Sequence, residues 1–331
     1  MKKFISAKMI NLADPRIGSK VIFKTDDFFA AAHRILNIET PVFKDGLFDK
    51  HGKWMDGWET RRRRSKGFDY LILKLGKPGK IFDIDIDTTH FNGNHPTHAS
   101  LEGCLSKTKP NKKTKWISLL SKKKLGPSRN HSFKSNNKSV FNYIRLNIFP
   151  DGGVARLRLY GKIEMEKNFL NNKTINLTSV LNGASIIGCN NEHFGRAENI
   201  IAPGKGKNMG DGWETRRSRG KNFDWLIIKF GKPGLIKKLE IDTHHFKGNY
   251  PDSCSIQTAS ISKDLSNKSI VNNSKNWKFI FKKYLLFYNS KLSEKIISYS
   301  WNNIINKDEA IYCLGCYKSS EKTWQLLSQY M

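Results

Sequence analysis

The segment Asp56-Gly57-Trp58-Glu59-Thr60-Arg61-Arg62 returns 155 positions later as Asp211-Gly212-Trp213-Glu214-Thr215-Arg216-Arg217. Between Asp56–Gly79 and Asp211–Gly234, 18 of 24 positions are identical, far beyond chance. The same spacing carries Ile86-Asp87-Thr88-Thr89-His90-Phe91 onto Ile241-Asp242-Thr243-His244-His245-Phe246, and Gly93-Asn94-His95-Pro96 onto Gly248-Asn249-Tyr250-Pro251. Upstream, Ile10-Asn11-Leu12 pairs with Ile175-Asn176-Leu177, and Phe29 with Phe194. A period this long exceeds any solenoid unit, so the chain holds two copies of a whole domain, each large enough for its own core. The expected limits are 8–164 for the first copy, 174–290 for the second and 298–331 for a tail, with the join in the polar stretch Glu164–Lys173.

Inside each copy the pattern is that of strands. Phe68–Leu75 and Phe223–Phe230 are apolar runs closed by Gly-Lys-Pro-Gly, a turn signal. Ile81–Asp87 alternates Ile and Phe with Asp at period two, as a half-buried antiparallel strand does. Ser100–Glu102, Tyr143–Ile148 and Val154–Leu159 alternate as well, and Pro150-Asp151-Gly152-Gly153 predicts a hairpin between the last two. Short helices are predicted at Asp27–Leu36 and Glu192–Ile200. The class is all-β, two tandem jelly-roll-like sandwiches.

Composition narrows the partners. The formal net charge is +29, which invites a nucleic-acid partner. The excess is mostly lysine spread among Asn and Ile, as AT-rich codons alone would give, and no nucleic-acid motif accompanies it. The charge does favour small anionic ligands. No apolar run is long enough to span a bilayer, and the N-terminus lacks a secretory signal, so the expected location is cytoplasmic. Only two of the five cysteines, Cys313 and Cys316, are close in sequence, and no second pair completes a zinc site.

Two segments carry the candidate chemistry. Asp-Gly-Trp-Glu-Thr-Arg-Arg packs a carboxyl, an indole and guanidinium forks just before a strand. The forks fit a carboxylate or ureido oxygen, and the Glu can accept a proton from water. The same residues could instead form an internal ion-pair cluster around a buried Trp. Asp87–Asn94 and Asp242–Asn249 end a strand in a Gly-containing loop, where a sandwich displays polar groups. There Asp, His and Asn could position water or a ureido group, hold a divalent metal, or simply cap the strand. Arg156 and Arg158 share a strand face and read either as an anion grip or as a solvated face. Gly-rich phosphate loops, Gly-x-Ser-x-Gly elbows and His-Glu-x-x-His helices do not occur.

These motifs resemble the allantoicase family. The resemblance rests on His51–Arg62, Ile84–Thr88, His90–Asn94 and Phe149–Gly161, and in the second copy on Asp211–Arg217 and Ile241–Pro251; it runs from about Asn11 to about Lys283. It implies two galactose-binding-like β-sandwich repeats and hydrolysis of allantoate to ureidoglycolate and urea in purine and allantoin degradation. Under it, Arg61, Arg62, Arg216 and Arg217 clamp the substrate carboxylate, and Trp58, Asn94, Trp213 and Asn249 complete the binding site. Glu59, Glu214, His90 and His245 are the acid and base candidates. The expected enzyme is a homo-oligomer with no membrane or nucleic-acid partner and no fixed cofactor, a divalent metal staying open. The second reading is a catalytically inactive small-ligand-binding β-sandwich.

The second copy departs from the pattern. Leu125-Gly126-Pro127-Ser128 and the Pro-Asp-Gly-Gly-Val-Ala-Arg stretch have no counterpart there, so this repeat reads as truncated. In the tail, Asp308–Leu314 and Lys322–Leu327 have helical spacing and weakly resemble the start of ureidoimidazoline decarboxylase.

Overall fold

The computed structural model describes residues 5–6, 9–135, 137–164, 175–217, 223–234, 236–251, 253–261, 265–274, 277–284, 296–300 and 310–318, with backbone alone for 5–6, 278–284, 296–300 and 310–318. The chain divides into two compact units, residues 9–169 and residues 170–331 with 1–8. Strands dominate both, as the alternating patterns predict.

In the first unit the strands of five or more residues are β1 (Lys20–Lys24), β2 (Asp69–Asp87), β3 (His98–Cys104), β4 (Ile117–Lys124), β5 (Asn130–Lys134), β6 (Val140–Phe149) and β7 (Arg156–Ile163). The frame is set by β2, which serves both layers of the sandwich. Its first half pairs with β1 through Lys74–Leu71 and with β6 through Lys74–Asp69, and β6 continues past the bend to Gly79 and Lys80. Its second half pairs with β5 through Asp83–Asp87 and with β7 through Gly79–Asp87. The Gly76-Lys77-Pro78-Gly79 segment is therefore a bend inside one long strand, where a closing turn was predicted. Glycine is required there: a Cβ on Gly76 would lie 1.9 Å from the Ile17 carbonyl oxygen. The layers meet over Leu71, Leu73, Ile84, Ile86, Leu101, Ile144, Leu146, Leu157 and Leu159, all but fully buried. The period-two alternation of Ile81–Asp87 sends Ile84 and Ile86 into this core.

The predicted hairpin between Tyr143–Ile148 and Val154–Leu159 does not form. β6 and β7 lie on opposite sides of β2, β6 pairing with Asp69–Lys74 and with Gly79 and Lys80, β7 with Gly79–Asp87. The Pro150–Gly153 stretch thus crosses from one side of β2 to the other. The helices expected at Asp27–Leu36 and Glu192–Ile200 are single 3-10 segments, Ala32–Leu36 and Ala197–Ile201.

The second unit contains β8 (Ser185–Cys189), β9 (Phe223–Lys229), β10 (Lys238–Asp242), β11 (Ser253–Ile261), α1 (Asn267–Asn273), β12 (Lys278–Tyr284), β13 (Ile296–Ser300) and β14 (Ala310–Lys318). One sheet runs β8-β9-β14-β11-β12, with Ile5–Ser6 added beside β8, and β10 pairs with β13. Here the tail corrects two expectations. Residues Asp308–Leu314 were predicted helical, yet Ala310–Lys318 is a strand. It sits in the middle of the sheet in the register that β6 holds in the first unit. Tyr143 stands opposite Lys74 and Cys104, and Tyr312 stands opposite Lys229 and Ala259, each partner 155 positions further on. β13 repeats β5 in the same way, pairing Ile296–Ser300 with Asp242–Lys238. The sheet centre of the apparently truncated repeat is therefore occupied, by residues whose spacing alone looked helical. Backbone groups left open between β9 and β11 outweigh that local preference. Among the described residues no counterpart of β7 is present. The second predicted helix, Lys322–Leu327, lies outside the described residues.

Candidate active site

Trp58 and Glu59 form a two-residue strand bridged to Ala30 on one side and to Gly153–Val154 on the other. Alternation then points them to opposite faces. Trp58 goes inward, with no exposed surface, and its Nε1–H donates to the Asp26 carbonyl at 2.7 Å. It props the loop from within the core and has no surface open to a ligand, which conflicts with its expected binding role.

Glu59 is held by a closed set of contacts. Its Oε1 accepts from the Asn94 side-chain amide at 2.6 Å. The Asn94 carbonyl in turn accepts from the Gly153 N–H at 2.7 Å, and Gly153 is the residue opposite Glu59 in the short ladder. Three chain segments remote in sequence are thereby locked to one carboxyl. Burial pushes the Glu59 carboxyl above the usual carboxylate range, and the Asn94 hydrogen bond works against that rise. Gly153 must be glycine because a Cβ would lie 2.0 Å from the buried Phe91 ring.

The second unit rebuilds the arrangement. Glu214 is bridged to Gly195, and its Oε1 accepts from Asn249 Nδ2 at 2.6 Å. Trp213 Nε1–H donates to the Asn191 carbonyl at 2.8 Å. Glu214 and Trp213 are half-buried.

His90 and His245 also match. Both adopt the left-handed backbone region, φ 70° and 72°, which side chains other than glycine rarely occupy. Each ring lies with Nε2 on a backbone carbonyl, His90 on Pro41 at 3.2 Å and His245 on Gly206 at 3.0 Å. The carbonyls only accept, so these Nε2 atoms carry the protons. The rings thus tie the strand-end loop to the segment before the Asp-Gly-Trp-Glu motif. Among the described residues no hydrogen bond joins either ring to Glu59 or Glu214.

The arginines separate into different environments. Arg61 is exposed, donates from Nε to Asp26 Oδ2 at 2.7 Å, and lies over the Phe28 ring. Arg62, Arg216 and Arg217 are exposed. Arg216 Nη2 lies 3.4 Å from His193 Nδ1. Arg156 is neither anion grip nor solvated face. It is almost fully buried, with Nη2 donating to Asp56 Oδ2 at 2.6 Å and other nitrogens to the carbonyls of Glu39, Asp56 and Ala155. Arg158 likewise donates to the Ile38 and Glu39 carbonyls.

Several supporting residues escaped the sequence reading. Arg63 donates from Nη2 to Asp69 Oδ1 at 2.8 Å, while its backbone N–H donates to Asp151 Oδ2 at 2.7 Å. Thr60 Oγ1 accepts from the Gly152 N–H at 3.0 Å. The recurrence of Asp56 and Asp69 as Asp211 and Asp224 was the available signal. Among the described residues no three His, Cys, Asp or Glu side chains are grouped to hold a metal ion. A cleft of about 390 Å³ does exist, between β4 and β5, but Leu119, Leu120, Ser121, Lys123, Ser132, Phe133 and Lys134 line it and none of the candidate residues does.

Comparison with known proteins identifies the family. The model of the allantoicase repeat matches residues 10–164 and 175–309. A "Probable allantoicase" of Acinetobacter baylyi is 49% identical over 272 residues, 82% of this chain and 81% of that relative. A "Probable allantoicase" of Pseudomonas fluorescens is 50% identical over 254 residues, covering 76% and 77%. The crystal structure of allantoicase from Saccharomyces cerevisiae superposes with a TM-score of 0.75 at 28% identity, covering 96% of this chain and 98% of that one. With both repeats matched in order and the fold shared along nearly its whole length, this chain belongs to the allantoicase family.

Proposed function

We infer that the protein is an allantoicase-type hydrolase of purine degradation, converting allantoate and water to ureidoglycolate and urea. Membership of the family carries the activity. The observation that supports the site is the Glu–Asn pair built twice, Glu59–Asn94 and Glu214–Asn249, each at 2.6 Å and each beside exposed guanidinium groups.

The chemistry fits such a pair. Allantoate bears one carboxylate and two ureido groups on a single carbon. Water oxygen bonds to that carbon as one carbon–nitrogen bond breaks. One proton leaves the water and one joins the departing nitrogen, giving urea. A carboxyl in its protonated form can donate to that nitrogen, and its ionised form can take a proton from water; burial of Glu59 favours the first of these. Asn94 and Asn249 hold the carboxyls in one orientation. His90 and His245 act as positioning residues, pinning the loops that carry the two asparagines.

Urea release from allantoate by the purified chain tests the reaction. Glu59→Gln and Glu214→Gln, combined, are expected to lower turnover about a hundredfold or more; undiminished turnover in that double variant removes both carboxyls from the mechanism. The assembly is proposed to be a homo-oligomer, supported by the exposed Phe28, Phe29, Val42, Phe43, Leu47 and Phe48 of the first unit. A sedimentation mass of one chain would contradict it.

A further inference from the structure

The two rims share their carboxyl–amide pairs but differ in charge around the arginine that follows. In the first unit Asp26 takes the Arg61 guanidinium at 2.7 Å, and Phe28 underlies it at 5.1 Å. The second unit replaces both neighbours. Asn191 stands in the place of Asp26, each supplying the carbonyl that accepts from the rim tryptophan. Its side chain accepts the Arg216 backbone N–H at 3.3 Å and carries no charge. His193 stands in the place of Phe28 and brings Nδ1 to 3.4 Å from Arg216 Nη2. A guanidinium can only donate, so Nδ1 is the acceptor and the ring proton sits on Nε2. That proton adds a second donor beside the fork.

Four carboxylates of the second unit have partners other than Arg216. Glu192 Oε2 accepts from the Ala197 N–H, Glu198 pairs with Arg196, Glu214 accepts from Asn249, and Asp224 accepts from Asn190. Among the described residues no carboxylate pairs with Arg216, whereas Arg61 has one.

Resting on the allantoicase-type reading, we propose that the repeats are unequal and that Arg216 with His193 forms the subsite for the carboxylate of a small diureido acid. Arg61, already neutralised by Asp26, does not take that carboxylate. An exposed fork without an internal counter-ion gives up no ion pair on binding, while a fork already paired must exchange one for another.

Allantoate affinity, measured by calorimetry, and the KM for urea release test this. Arg216→Ala is expected to weaken both about ten- to a hundredfold, with kcat changed far less. Arg61→Ala is expected to change them less than about threefold. Asn191→Asp gives Arg216 the partner that Arg61 has and is expected to weaken binding without removing the fork. Methylenediurea, the diureide lacking the carboxylate, is expected to inhibit Arg216→Ala as well as it inhibits the unsubstituted chain. Equal losses at Arg61 and Arg216, or equal loss of methylenediurea and allantoate at Arg216→Ala, would overturn the proposal. Absence of urea release from the unsubstituted chain would sink the parent reading instead, and the calorimetric affinities would still decide between the two arginines.

Discussion

Glu59 is a carboxyl that burial drives toward its neutral form while a single amide pulls it back. Removing that amide should therefore move the balance in a known direction. Asn94→Ala is expected to shift the Glu59-dependent limb of the kcat/KM profile to higher pH, because the hydrogen bond that favours the ionised carboxyl is gone. A limb that stays in place would mean that Asn94 does not govern this carboxyl. The same raised proton affinity has a stability consequence. The folded state holds the proton to higher pH than the unfolded chain, so the Glu59 contribution is full below the ordinary 4.5 and is lost as pH rises through the folded value. Glu59→Gln is expected to flatten that part of the stability profile, read from denaturant midpoints between about pH 4 and about pH 7. At this scale the sequence named the carboxyls, asparagines and histidines, because the repeat printed each of them twice. It could not assign Trp58 to the core or Arg61 to Asp26. Those depend on which face of a two-residue strand points inward and on a residue 35 positions away.

Among the elements, β2 decides most of the geometry, since β6 and β7 pair with its opposite sides. Alternation announced these strands but not their partners: period two identifies a face and says nothing of which chain lies beside it. Hence the predicted hairpin failed although both its strands exist. The crossing that replaces it is held by the buried Arg156–Asp56 pair, which joins the start of β7 to the Asp-Gly-Trp-Glu loop. Arg156→Met leaves Asp56 buried without its cation and is expected to cost about 3–5 kcal/mol, measured by denaturant unfolding. A loss below about 1 kcal/mol would show that other contacts hold the crossing. His131 braces the neighbouring loop, accepting from the Gly126 N–H at 2.8 Å. Burial lowers its proton affinity below the ordinary 6.5, so its stabilising contribution is present above that value and is lost as pH falls through the folded one. The protection factor of the Gly126 amide, taken against the intrinsic exchange rate at each pH, is expected to fall on acidification, and to lose that pH dependence in His131→Phe.

For the molecule as a whole, the tail strand β14 is the element whose removal should matter most. A chain ending at Glu309 would leave β9 and β11 without the neighbour that both now share. It is expected to lose amide protection along Phe223–Lys229 and Ser253–Ile261 while the first unit keeps its own; unchanged protection in those strands would mean that β14 is dispensable. While the pairing of Glu59 with Asn94 and of Glu214 with Asn249 came from the tertiary structure, the sequence by itself determined the duplication, the all-β class and the family, and it named those residues as candidates. Those properties are written locally, in period, motif and spacing, and the duplication states them redundantly. Only the tertiary structure decided that Ala310–Lys318 is a strand, that β6 and β7 never pair, and that Arg61 and Arg216 meet different neighbours. Each of these depends on groups brought together from distant parts of the chain, where unpaired backbone and unpaired charge outweigh the preferences of a short segment.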